Sequence, residues 1–231
     1  MKHSSAVMVC AAAVMFSMCR CSSPLSDVDI TDFGVIGMSA SIDRWLCDTG
    51  VSRQEVRALV YDKNLASVRI KGGGVMINGT AMVYDSTVIM ACYRKDDLQV
   101  TPQTAYRFVI TISNGDQCTS TVVTPPAEFG TVTVPDTVHI SYGTTITWTA
   151  VAQGSPVDIT LTQVTGGRTV FQRSGVPDSG HIVIPPVADS TLIGKARFEM
   201  KRSTIGTIAG QLRDGTVRSQ FSFSDTLTLA Q

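Results

Sequence analysis

The chain has 231 residues, of which 43% are hydrophobic and 16% charged, enough apolar material for folded cores and too little charge for disorder. Its net charge is zero and its pI is about 6.8. We therefore expect no nucleic-acid partner, because phosphate binding needs clustered Lys and Arg. Many β-branched residues and only three Glu predict sheet rather than helix.

Residues 1–18 have the layout of a signal peptide. Lys2 and His3 precede an apolar run that ends at Met18, shorter than the ~20 residues that a bilayer span needs. No later segment reaches spanning length without charges. The alternative interpretation is a retained N-terminal helix.

The apolar run stops at Cys19, and Arg20, Cys21 and a Ser/Pro stretch follow. This arrangement resembles the signal of bacterial lipoproteins, in which the cysteine becomes the lipidated first residue of the mature chain. The resemblance implies lipidation of Cys19, with 19–32 as anchor and tether. Met18 stands where that family has a small residue, so modification of Cys21 and an ordinary secretory signal both stay open.

Beyond the tether, the sequence predicts an all-β fold of two consecutive immunoglobulin-like sandwich domains, 33–125 and 126–231. Pro125 and Pro126 mark the boundary, because proline has no N–H to donate to a strand ladder. The junction covers 124–130.

In the first domain, Ser52 and Glu55 have capping-box spacing, which favours a short helix over 52–60. The alternative is a strand through 56–61. Residues 106–112 alternate with period two and predict a strand. Turns are expected at Asn78-Gly79 and Asn114-Gly115, since these dipeptides tolerate positive φ.

In the second domain, alternation predicts strands over 145–150, 157–162 and 196–202. The last of these places Ala196, Phe198 and Met200 on the buried face. Turns are expected at Gly166-Gly167 and at Asp214-Gly215.

Several segments resemble immunoglobulin-like modules of bacterial surface lipoproteins and, distantly, the Ser-Thr-rich anchored cell-wall family. In the second half these are 145–148, 155–161 and 178–185, and in the first half, also similar to transthyretin-like modules, they are 98–106, 114–115 and 123–125. The resemblance implies that Trp148 packs in the core. It carries no catalytic residue.

The folded part contains Cys47, Cys92 and Cys118, an odd number that leaves at least one thiol unpaired. Export makes a disulfide plausible, and Cys92–Cys118 is the first choice because both cysteines lie in predicted strands of one domain. Buried free thiols are the alternative. No Cys/His cluster predicts a metal site, and no cofactor is expected.

One pair of segments in the sequence suggests catalysis: Asp48-Thr49-Gly50 and Asp178-Ser179-Gly180. Aspartic proteases bring the carboxylates of two such loops together so that they share one proton. Ordinary β-turns are the preferred interpretation. His139 and His181 are expected to be strand or turn residues, and 71–74 a glycine turn. Asp96 and Asp97 are expected in a solvated turn.

Trp45, Tyr84, Tyr93 and Tyr142 are candidates for a sugar-binding surface. The sequence therefore favours a non-enzymatic, lipid-anchored envelope protein that serves adhesion, scaffolding or ligand presentation. A carbohydrate- or peptide-binding accessory module is the alternative, and an aspartic-type hydrolase the remote one. Expected partners are the membrane, through the anchor, and a protein or glycan.

Overall fold

The computed structural model describes residues 27–47, 52–87, 90–151, 155–187, 189 and 191–231. These ranges contain sixteen β-strands and one short 3-10 helix, Phe33–Val35, which confirms the all-β prediction. None of their helices is long and apolar enough to cross a membrane. In chain order the strands are β1 Gly37–Cys47, β2 Ser52–Tyr61, β3 Gly74–Ile77, β4 Thr80–Ala81, β5 Val83–Asp85, β6 Cys92–Lys95, β7 Ala105–Thr111, β8 Gln117–Val123, β9 Val132–Thr133, β10 Thr137–His139, β11 Thr144–Trp148, β12 Val157–Gln163, β13 Thr169–Val176, β14 His181–Ile184, β15 Gly194–Ile205 and β16 Gly215–Ala230.

The strands form one long sheet and two short ones. The long sheet has the order β13-β12-β15-β16-β1-β2-β6-β5, with β10 also paired to β16. The short sheets have the orders β4-β3-β7-β8 and β14-β11-β9. β16 runs parallel to β1 and β10 and antiparallel to β15.

Two hydrophobic cores lie between the long sheet and the short ones. The first contains Met38, Val56, Phe108 and Phe221, from the long sheet and the four-stranded sheet. The second contains Trp148, from the three-stranded sheet, and long-sheet residues such as Ile159, Phe198 and Leu227. The molecule is thus two β-sandwiches that share one sheet, which confirms the predicted sandwich architecture.

The C-terminal hairpin belongs to both sandwiches, which corrects the domain division at residue 126. In β16, Val217 and Phe221 lie in the first core, whereas Leu227 and Leu229 lie in the second. Ala209 and Leu212, in the connection between β15 and β16, also lie in the first core. Alternation along a strand shows which residues are buried, but not which core receives them.

The first sandwich also begins earlier than residue 33. Val28 forms a parallel bridge to Ile70, and the Ile30 backbone N–H donates to Ser113 Oγ at 2.9 Å. Ile30 is buried in the first core. Residues 27–32 are therefore part of the fold rather than tether, because Ile30 is apolar enough to pack.

The helix expected over 52–60 is wrong, since these residues form β2. Val56, Ala58 and Val60 are fully buried, and the intervening residues face away from the core. β2 pairs with β1 along ten residue positions, and this pairing outweighs the weak capping-box signal.

The strands predicted from alternation at 106–112, 145–150, 157–162 and 196–202 are confirmed as β7, β11, β12 and β15. The Asn78-Gly79 turn is confirmed between β3 and β4, with φ of 46° and 79°, the left-handed region that such a hairpin needs. The Asn114-Gly115 and Gly166-Gly167 turns are also confirmed. The turn expected at Asp214-Gly215 is wrong, because Gly215 is the first residue of β16. The connection between β15 and β16 is longer and covers 206–214.

Candidate functional site

A row of side chains crosses the long sheet where the two cores meet. Arg44 of β1 is in register with Phe221 of β16, which is in register with Arg202 of β15. Gln54 of β2 extends the row on the other side of Arg44. By strand alternation both arginines point to the core side, so two charged groups stand between the apolar cores.

Arg202 is fully buried and holds the linker between the sandwiches. Its Nη1 donates to the backbone oxygens of Ala127 at 2.7 Å and Glu128 at 3.1 Å. Its guanidinium carbon lies 4.8 Å from the centre of the Phe129 ring. Burial lowers the pKa of Arg202, but a guanidinium stays protonated in proteins.

The charge of Arg202 is balanced by Asp178, whose side chain is equally buried. Arg202 Nη2 lies 2.8 Å from Asp178 Oδ2. Trp148 Nε1 donates to Asp178 Oδ1 at 2.6 Å, and the Val151 backbone N–H donates to Oδ2 at 3.2 Å. The carboxylate therefore ties β15, the end of β11 and the turn before β14 together.

Arg44 makes the corresponding contacts on the side of the first sandwich. Its Nη1 donates to the Val100 backbone oxygen at 2.7 Å and lies 2.9 Å from Glu128 Oε1. The Val100 N–H in turn donates to Gln54 Oε1 at 2.5 Å. The linker residue Glu128 thus contacts both arginines, one through its side chain and one through its backbone.

The hairpin connection is fastened to β8 just before the linker. Thr121 and Thr207 exchange two backbone hydrogen bonds, of 2.8 and 2.7 Å. The Ala209 N–H donates to the buried Ser120 Oγ at 2.9 Å, and Thr204 Oγ1 donates to the Val123 oxygen. These bonds join the edge of the four-stranded sheet to the long sheet.

The aspartic pair predicted as a remote catalytic site is not supported at Asp178. That carboxylate is buried and bonded to Arg202 and Trp148, so it cannot meet a substrate or share a proton with a second acid. The Asp178-Ser179-Gly180 segment is instead a turn before β14, as preferred from the sequence. Asp48, like Cys19, Cys21 and the signal region, lies outside the described residues.

The expected Cys92–Cys118 disulfide is absent, and both thiols are free and buried. Cys118 lies in the first core, whereas Tyr93 occupies the core side of β6 and so directs Cys92 to the outer face. The two sulfurs therefore lie on different sides of the long sheet. Burial raises the pKa of Cys118 to about 11 and also raises that of Cys92.

The remaining polar candidates are exposed. His139 and His181 are exposed residues of β10 and β14, with ring contacts to the backbone oxygens of Gln231 and Ser179. Asp96 and Asp97 lie in an exposed bend, and the glycine turn expected over 71–74 covers 71–73 and leads into β3 at Gly74. Among the residues described, no group of three or more His, Cys, Asp or Glu could hold a metal ion.

An ion-pair network on the outer face of the first sandwich was not predicted. Glu55 of β2 is almost fully buried there, with Arg94 at 3.0 Å and Arg57 also paired to it. Arg94 further contacts Asp85 at 3.0 Å and Asp96 at 3.2 Å. These acids, Asp85 foremost, raise the pKa of Arg94. The network covers the outer surface of β2, β5 and β6.

The candidate aromatic residues do not form one flat surface. Trp148 is buried, as expected, and Tyr142 is exposed. Tyr84 and Tyr93 pack edge to face, 5.1 Å apart at 71°. Trp45 has the Arg53 guanidinium 5.8 Å from its ring centre. Tyr84 and Tyr93 line a cleft of about 440 Å³ in the first sandwich.

Comparison with known proteins identifies no family for this chain. No protein-family model matches the chain, and no curated protein matches it significantly. A solved structure of the FN1–FN3 domains of chicken CNTN1 is similar to it at 13% identity, with a TM-score of 0.25. The similarity covers 84% of this chain and 65% of that chain. At this TM-score the overlap carries no argument, and the fold rests on the strands described above.

Proposed function

We propose that the protein is a non-enzymatic scaffold of the bacterial cell envelope, held to a membrane by a lipid on Cys19. The observation that carries the proposal is that β16 contributes buried residues to both cores. A shared strand, with Arg44 and Arg202 bonded to the linker, makes the two sandwiches one stiff body. A stiff body is suited to presenting a binding surface at a fixed place and orientation.

The environment of Asp178 supports a non-enzymatic role. This acid was the one described member of the only catalytic pair that the sequence suggested, and Arg202 and Trp148 occupy its oxygens. Its role is to hold the junction together. With zero net charge, the scaffold's partners are the membrane and a protein or glycan, rather than a nucleic acid.

The number of residues between Cys19 and the fold limits how far the proposed anchor can lie from the first sandwich. The fold begins by Val28, so the chain from Cys19 to Asp27 is the whole tether. Fully extended, eight residue steps span at most about 29 Å. A lipid on Cys19 would therefore keep the first sandwich close to the membrane surface.

The mass of the intact protein, expressed in a bacterial host with its own signal, tests the anchor. We expect a chain that starts at Cys19 and carries a diacylglyceryl group and an acyl group. The Cys19→Ser variant should lose both the lipid and the membrane fraction, whereas Cys21→Ser should keep them. An unmodified wild-type chain would overturn the anchor.

A further inference from the structure

The cleft in the first sandwich lies where the long sheet and the four-stranded sheet separate at one edge. Tyr84 and Tyr93, on β5 and β6, form part of its lining, and Met76 and Met82 line it from β3 and its neighbourhood. Residues 72–74 complete another wall. Its volume of about 440 Å³ lies in the range of small-molecule sites.

The charged groups of the cleft cancel each other. Arg69 Nε lies 3.3 Å from Asp27 Oδ1, and both side chains are about half exposed. The Arg69 guanidinium also lies 5.9 Å from the centre of the Tyr84 ring. Because the two charges offset each other, the pair gives no net attraction to repay the desolvation of an ion, so it favours a neutral ligand.

The cleft offers hydrogen-bond donors as well as acceptors. The Tyr93 hydroxyl accepts the Ile70 backbone N–H at 3.0 Å, which leaves its own proton to donate. Burial raises the pKa of Tyr93, so the phenol keeps that proton at neutral pH. Asp27 supplies acceptors and Arg69 supplies donors.

Three successive glycines keep one wall free of side chains. A Cβ at Gly73 would lie 2.1 Å from the Thr111 backbone oxygen, so no larger residue fits there. A Cβ at Gly74 would project to 3.7 Å from Tyr93 Cε1. The glycines therefore leave space beside the tyrosine ring.

From these contacts we infer that the cleft binds a neutral mono- or disaccharide. Hydroxyl groups donate and accept at once, which matches a balanced Asp–Arg pair, and the C–H face of a sugar packs on aromatic rings. This inference goes beyond the scaffold role and does not depend on the anchor. It assigns to the first sandwich a ligand that the scaffold would hold near the membrane.

Methyl-labelled methionine in the full-length protein gives a direct readout. The probes are glucose, galactose, N-acetylglucosamine, maltose and cellobiose. At least one should shift the methyl signals of Met76 and Met82 with millimolar affinity, while Met38 and Met200, in the two cores, stay unshifted. Glucose 6-phosphate and glucosamine should bind more weakly than glucose, because the Asp27–Arg69 pair offers no net countercharge to offset the desolvation of a charged ligand.

Two variants in the cleft test whether the sugar binds there, and two variants outside it show whether any loss of an Arg or Tyr side chain weakens binding. Arg69→Ala and Tyr84→Ala should each weaken sugar binding at least tenfold. Arg168→Ala, in an exposed ion pair of the second sandwich, and Tyr142→Ala, at an exposed tyrosine, should not change it. The inference is overturned if no neutral sugar shifts Met76 or Met82, if binding survives both cleft variants, or if a charged analogue binds more tightly.

Discussion

At the scale of single residues, the contact between the two cores depends on Arg44 and Arg202, which bond to the linker. Both arginines occupy strand positions where period-two alternation predicts apolar side chains. Arg202 continues the inward face of Ala196, Phe198 and Met200, and Arg44 continues that of Met38 and Ile42. An arginine at such a position was the available sequence signal for the junction. Sequence alone could not identify the partners, because Asp178 and the 127–128 oxygens come from distant parts of the chain.

Replacing Arg202 should destabilise the protein strongly. Arg202→Met leaves Asp178 buried without its countercharge, and such a loss costs about 3–5 kcal/mol of unfolding free energy. Denaturant unfolding, monitored by tryptophan fluorescence, measures this cost. Adding Asp178→Asn should restore part of the loss, since the amide removes the buried charge and still accepts from Trp148.

The matched control is Arg168→Met, which removes an exposed partner of Asp189. Exposed pairs contribute little, so unfolding should be nearly unchanged. If Arg202→Met costs no more than this control, the buried pair does not hold the junction.

Because burial raises the pKa of Cys118, the free energy of unfolding should decrease at high pH. Burial raises its pKa to about 11 in the fold, against 9.0 for a solvated thiol, so between these values the unfolded chain loses a proton that the folded chain keeps. Stability should therefore fall as pH rises from 9 towards 11, by on the order of 2 kcal/mol. Chemical unfolding at pH 8 and pH 11 measures the fall.

The Cys118→Ala variant isolates this contribution from tyrosines that titrate in the same range. It should show a smaller loss of stability than the wild type over that interval. Equal losses in the two proteins would show that the thiol is not responsible.

At the scale of elements, period-two alternation predicted β7, β11, β12 and β15, because each has one buried and one wet face. The prediction was wrong at β2, because Ser52 and Glu55 have the spacing of a helix capping box. Those residues form a strand instead, since they pair with β1. Of the C-terminal hairpin, only β15 was predicted as a strand, from 196–202, and the contribution of β16 to both cores was not predicted. Strand pairing at long range leaves no local signal.

Gly206 tests whether the hairpin connection must lie against β8. A Cβ at this position would stand 2.0 Å from the Thr121 backbone oxygen, so Gly206→Ala forces the two segments apart. We expect a loss of about 1–3 kcal/mol in unfolding free energy, as for other overpacked sites. Gly210→Ala, where a Cβ meets nothing within 4 Å, is the matched control and should change stability by less than about 1 kcal/mol.

Amide hydrogen exchange at Thr207 and Ala209 distinguishes a local loss of contact with β8 from a general loss of stability. Gly206→Ala should speed exchange at these amides most, because their bonds to Thr121 and Ser120 depend on the close approach. Unchanged protection at both amides, together with wild-type stability, would contradict the described contact.

At the scale of the whole molecule, two cores are joined by continuous strands rather than by a free linker. β16 contacts β1 in the first sandwich, then β10 in the second. The linker itself is bonded to Arg44 through Glu128 and to Arg202, and Phe129 is buried. Unfolding either sandwich would therefore displace β16, which also supplies buried residues to the core of the other sandwich.

This sharing predicts that the sandwiches unfold together. Calorimetry of the wild type should give one transition, with a calorimetric enthalpy equal to the van't Hoff enthalpy. The Met200 methyl signal in the second core and the Met38 methyl signal in the first should lose their native values at the same temperature. Arg202→Met, which loosens the junction, should broaden or split the transition. Two separate transitions in the wild type would mean that the sandwiches are independent, and the stiff-scaffold role would lose its basis.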